Sequence, residues 1–142
     1  MQNTAWLTLT RSVLFTASPS PQLYIIDWEF VQLGHRAMDL GQLIGDLLEK
    51  SYMLSSTRSQ CESMLCSFVK GYGAMSEEMG FRVLIHAGVH ILNWCARHPD
   101  ADLKGKVEAL MQRAVEMIVR AWKQERGWFD GDVLGCLFAE VV

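Results

Sequence analysis

Two carboxylates, Asp27 and Glu29, stand two residues apart at the end of the apolar run Leu23-Tyr24-Ile25-Ile26. Trp28 separates them, Gly34 follows in a short loop, and Asp39-Leu40-Gly41 comes next. The apolar run reads as a buried strand that stops at an acid, and the second motif as a helix opening on another. Carboxylates at strand ends are where magnesium and phosphate chemistry is commonly built. Magnesium is a hard cation that binds through one or two carboxylates together with its substrate's phosphates. On extended backbone, positions 27 and 29 point the same way and position 28 the other way. Glu29 therefore either lies near a metal or accepts a loop hydrogen bond, and Trp28 packs into the core. Asp39 is most simply a first-turn acid facing the free N–H groups of a helix start.

The elements that must position these residues follow from the apolar spacing. Ser12-Val13-Leu14-Phe15 and Leu23–Ile26 read as short strands, and Ser18-Pro19-Ser20-Pro21 between them is a turn by composition. The two strands can pair as a hairpin. From Arg36 the chain turns helical, with Leu40, Leu43, Leu47 and Leu48 on one stripe. Ser55-Ser56-Thr57 breaks the pattern and opens a helix over 58–72, with Met64, Leu65, Phe68 and Val69 apolar and Gly71 and Gly73 as its stop. Ser76-Glu77-Glu78 starts a third helix, apolar nearly all round and therefore central, which His98-Pro99-Asp100 ends. Residues 102–126 predict a long amphipathic helix whose buried face is Val107, Leu110, Met111, Ala114, Val115, Ile118 and Trp122. Asp130-Gly131-Asp132 is a turn before a last short helix. The fold class is mainly α: a short β-hairpin followed by a lobe of four to five helices. Strands do not alternate with helices, which excludes a parallel α/β sheet.

Composition bounds the function classes. The chain has 142 residues, 50% of them hydrophobic and 20% charged, which predicts a globular core rather than disorder. A net charge of -3 argues against a general nucleic-acid binder. No apolar run reaches the roughly 20 residues that span a bilayer, so no membrane partner is expected. Cys61, Cys66, Cys95 and Cys136 form no C-x-x-C pair and read as buried or partly buried thiols in a reducing compartment. The expected location is the cytoplasm.

Tyr24-Ile25-Ile26-Asp27-Trp28-Glu29-Phe30, then Gly34, then Asp39-Leu40-Gly41, resembles the aminoglycoside phosphotransferase and choline kinase-like family, which shares the protein-kinase-like fold. In that family a hydrophobic strand delivers an acid in I-D-W/F-E, and a glycine-containing loop and an Asp-Leu-small helix start come next. The close match covers about residues 22–48, and the helical remainder agrees with the family's C-terminal lobe in architecture. The resemblance implies that Asp27 holds the magnesium bridging the outer phosphates of ATP, that Asp39 braces the catalytic loop, and that Gly34 shapes the connecting loop. It implies Mg2+ and ATP as cofactors and a small-molecule hydroxyl as acceptor. The family's catalytic loop, H-G-D-x-x-x-x-N, has no counterpart. Aligning Val13-Leu14-Phe15 with the strand after that loop puts Ser12 at the Asn position and Leu7 at the Asp position, and neither can do the job. On this reading residues 1–22 are an atypical segment and 23–142 part of a phosphotransferase C-terminal lobe, inactive alone because the nucleotide lobe and catalytic loop are missing. The alternative is a non-catalytic helical interaction module or pseudokinase-like fragment that self-associates through exposed apolar surface.

Other constellations carry less. His86 and His90 share a helix face, but Ala87 stands where a zinc protease needs its Glu, so both read as hydrogen-bonded core residues. Gly71-Tyr72-Gly73 reads as a helix stop and Glu77-Glu78 as a solvated first turn. Lys104, Lys106, Arg113, Arg120, Lys123 and Arg126 make the last helix basic on its outer face, with local pairs to Glu108, Glu116 and Glu125.

Overall fold

The computed structural model describes residues 6–8, 13–15, 23–25, 32–97 and 104–139. The fold is mainly helical. Strands β1 (Trp6–Thr8), β2 (Val13–Phe15), β3 (Leu23–Ile25) and β4 (Gln32–Gly34) precede helices α1 (Ala37–Met53), α2 (Arg58–Tyr72), α3 (Glu77–Arg97) and α4 (Lys104–Trp122). Short 3-10 segments follow at Arg126–Trp128 and Val133–Phe138, and another, Ser55–Thr57, joins α1 to α2.

The expected hairpin pairing is present: β2 and β3 run antiparallel with Val13 opposite Ile25 and Phe15 opposite Leu23. A second antiparallel pair encloses it in the chain order, with Trp6 of β1 opposite Gly34 of β4. Three-residue strands are too short for a period-two signal, which is why neither β1 nor β4 stood out.

α3 lies between α1 and α4, and α2 covers α1 and the Val133–Phe138 segment. The core runs through Leu40, Ile44, Leu65, Leu84, Ile91, Leu110, Met117 and Phe129, all buried. Helices cannot approach below roughly 8 Å unless small residues meet at the crossing. Here they do. A Cβ on Gly41 of α1 would lie 2.5 Å from the Cβ of His86, and one on Gly88 of α3 would lie 2.5 Å from Ile118 Cγ1 of α4. At the end of α2, Gly73 takes φ 97°, a left-handed conformation that favours glycine, and its N–H closes on the Val69 carbonyl at 3.2 Å.

Three predicted faces are corrected. On α4 the buried ridge is Leu110, Ala114, Met117 and Ala121, while Met111, Val115 and Trp122 are exposed, Trp122 at 79%. At 100° per residue that outer stripe stands about 120° from the core ridge. The small Ala114 and Ala121 let the ridge seat closely on α3, so packing rather than apolar content chose the face. On α2, Cys61, Leu65 and Val69 are buried and Met64 is exposed, because its neighbours cover only a narrow stripe. On α1, Ile44 is buried and Leu43 lies at the exposed edge. The last helix ends at Trp122 rather than residue 126, as Gln124 turns to φ 57° and Glu125 N–H reaches back to the Arg120 carbonyl at 3.0 Å.

Among the described residues, no helix is long and apolar enough to cross a membrane. Residues 98–100, expected to end α3, lie outside those described.

Candidate functional site

Asp27, Trp28 and Glu29 lie outside the described residues. What is described is the frame around them. β3 ends at Ile25, β4 ends at Gly34, and α1 begins at Ala37. Gly34 closes its strand opposite Trp6. His35 then starts the helix: its carbonyl accepts from Met38 N–H at 2.9 Å and its Nδ1 from Ala37 N–H at 3.2 Å. Asp39 stands in the first turn of α1, where the free N–H groups and the helix dipole favour a negative charge.

Away from that motif, the fold gathers residues that are distant in sequence. Asp46 and Glu49 project from α1 toward His90 of α3, and His90 Nε2 lies 2.8 Å from Asp46 Oδ1. Sequence reasoning placed His90 as a hydrogen-bonded core residue, and the Asp46 contact agrees with that, but the two carboxylates were not foreseen. Their i,i+3 spacing was visible, and only the α1–α3 crossing reveals what faces them.

His86, one turn earlier on α3, sits in a different environment. Burial above all, then the charges of His35 and Arg82, hold its imidazole below the ordinary value. Such an imidazole is neutral in the fold, whereas the unfolded chain takes up its proton first. Its contribution to stability is intact above about pH 6.5 and is lost as pH falls below that value, until the folded imidazole also titrates. The expected result is a lower urea midpoint at about pH 5.5 than at about pH 7.5, with a smaller drop in His86→Gln. An equal drop in the variant would remove His86 from the account.

A cleft of about 290 Å³ opens between α1, α2, α4 and the C-terminal segment. Its polar lining is Ser51, Tyr52, Arg58, Glu62, Arg113 and Asp132, above a floor that includes Ile91, Leu110 and Met117. Arg58 pairs with Glu62 at 3.0 Å. Arg113 pairs with Asp132 and lies 4.1 Å from the centre of the Trp128 ring. This corrects the reading of Arg113 as an outer-face residue of α4, since only 24% of its side chain is exposed. Lys106, though exposed, donates to the Met53 carbonyl at 3.0 Å and so caps the end of α1. A cleft lined by two ion pairs can hold a small polar ligand by charge-assisted hydrogen bonds.

Two of the thiols are held in their protonated form. Burial first, then the hydrogen bond with Cys66, pushes the Cys136 thiol up to about 12. Burial and then the charge of Glu49 raise Cys95. Neither sulfur is a thiolate at neutral pH, the form that nucleophilic chemistry needs.

The chain is similar to the phosphotransferase FrzJ of Cladobotryum sp, at 27% identity over 117 residues. That stretch is 80% of this chain and 29% of the relative, so the chain spans under a third of its relative's length. No family model and no solved structure matches the chain.

Proposed function

We propose that this chain is part of an ATP-dependent small-molecule phosphotransferase of the aminoglycoside phosphotransferase type, contributing the helical lobe and the metal-binding strand-loop. The observation that carries the reading is the similarity to a phosphotransferase along 80% of the chain. The Tyr24–Phe30 motif and the Asp39-Leu40-Gly41 helix start support it. Asp27 is the residue assigned to magnesium. A carboxylate suits the donor chemistry of that ion, which when bound neutralises charge on the transferring phosphoryl group. Glu29 is assigned a structural hydrogen bond in the same loop, and Asp39 braces the start of α1. The acceptor is a small molecule bearing a hydroxyl, and the free thiols suit a reducing, cytoplasmic compartment.

These 142 residues contain no H-G-D-x-x-x-x-N, so the chain by itself is expected to transfer no phosphate and to bind Mg-ATP weakly at most. Calorimetry with Mg-ATP checks this. Micromolar binding that disappears in Asp27→Ala would show a working nucleotide site and overturn the inactivity.

The exposed stripe of Met111, Val115, Val119 and Trp122 favours a second reading, a helical interaction module. It requires concentration-dependent self-association in light scattering of the same sample, reduced by Trp122→Ser. A clean monomer at all concentrations removes it.

A further inference from the structure

We propose that Asp46, Glu49 and His90 form a zinc site that clamps α1 to α3, separate from the magnesium assigned to Asp27. Asp46 and Glu49 are three residues apart on α1, so their carboxylates share one face. His90 meets them from α3. Gly45 makes that approach possible, because a Cβ there would come within 2.8 Å of His90 Cδ2. One ligand atom from each of the three residues lies within 4.8 Å of the other two, and all three residues are half-buried.

Electrostatics and donor type point to the ion. Two carboxylates brought together on one helix face repel. A divalent cation neutralises both. An imidazole nitrogen with two carboxylate oxygens is a zinc-type donor set, and three protein ligands leave a fourth position for water. Magnesium prefers oxygen donors in an octahedron and is poorly served by imidazole. Tetrahedral zinc with bonds near 2.1 Å sets its ligands about 3.4 Å apart. His90 and Asp46 stand 2.8 Å apart, and the three ligand atoms all lie within 4.8 Å of one another. Small rotations of the Asp46 and Glu49 side chains therefore complete the site without moving either helix. The cluster begins two turns along α1 from Asp39, about 10 Å on, so it belongs to the lobe rather than to the strand-loop motif.

The bland competitor is a metal-free hydrogen bond between His90 and Asp46 that pins the same helices. Glu49→Gln separates the two, since it removes a zinc ligand and leaves that hydrogen bond in place. The chelator-treated full chain is titrated with zinc by calorimetry and with cobalt by visible absorbance. The expected result is one ion per chain at micromolar affinity or tighter, unaffected by excess magnesium, with a melting temperature raised by zinc and restored by chelator. Glu49→Gln should weaken zinc binding at least about tenfold. His90→Ala should abolish the cobalt absorption band. Absence of stoichiometric binding, or zinc binding by Glu49→Gln equal to that of the parent, overturns the proposal.

Discussion

Gly41→Ala will destabilise the lobe by about 3 kcal/mol, against the normal helix preference for alanine of about 1 kcal/mol. The added Cβ would lie 2.5 Å from His86 Cβ, 2.7 Å from the Val83 carbonyl oxygen and 2.9 Å from the Ala87 nitrogen. Two of those atoms are backbone of α3 and the third is fixed to it, so no side chain can swing away. α1 must lift from α3, and the buried Ile44, Leu48, Leu84 and Ile91 lose contact together. Gly71→Ala is the control. It adds a Cβ with nothing within 4 Å, on an exposed part of α2, and should be neutral or stabilising by about 0.5 kcal/mol. Urea denaturation of the two variants beside the parent measures both. A Gly41→Ala midpoint equal to the parent's would mean that α1 and α3 sit further apart than described. The same crossing explains a residue of the sequence motif. In Asp39-Leu40-Gly41 the acid sits in the first helical turn, the leucine is buried, and the glycine admits α3.

Helices were legible where local chemistry marks their ends. Gly73 and Ser76 each act within a turn of the backbone they stop or start, and Ser76 Oγ does accept the Met79 N–H at 3.2 Å. Thr57 stands at the start of α2 but caps no N–H there, its hydroxyl donating instead to the Leu54 carbonyl at 2.9 Å. Helix faces were less legible, because apolar content alone could not say which side of α4 meets a neighbour. Val115 and Trp122 are as apolar as Leu110 and Met117, and the choice went to the side where Ile118 and the Ala114 carbonyl fit against Gly88. The clustered sites were least legible. Asp46 with His90, and Arg113 with Asp132, join residues on different elements, and nothing local in either partner signals the other. His86 and His90 illustrate the difference: their spacing puts them on one face, but only His90 stands opposite the carboxylates of α1.

Phe129→Ala will cost about 3–5 kcal/mol, although Phe129 lies in a short connecting stretch rather than a long helix. Its side chain is fully buried, the largest such among the described residues. Its ring centre stands 6.4 Å from Phe81 of α3, 5.9 Å from Phe138 and 4.8 Å from Trp128. Truncation leaves a cavity that α3 cannot fill, because Phe81 and Phe138 are already held 4.9 Å apart by their own contact. The segment is also tied down independently. Asp132 accepts the Leu134 N–H at 3.0 Å and pairs with Arg113, and Arg126 donates to the Phe138 carbonyl at 3.1 Å. These polar ties keep the aromatic cluster in register, so the loss should appear as a lower midpoint with an unchanged denaturant slope. If instead the slope falls and unfolding becomes two-phased, residues 126–138 open as a unit separate from the helices. The cleft wall formed by Gly131, Asp132, Val133 and Leu134 would then be a movable flap rather than part of the rigid lobe.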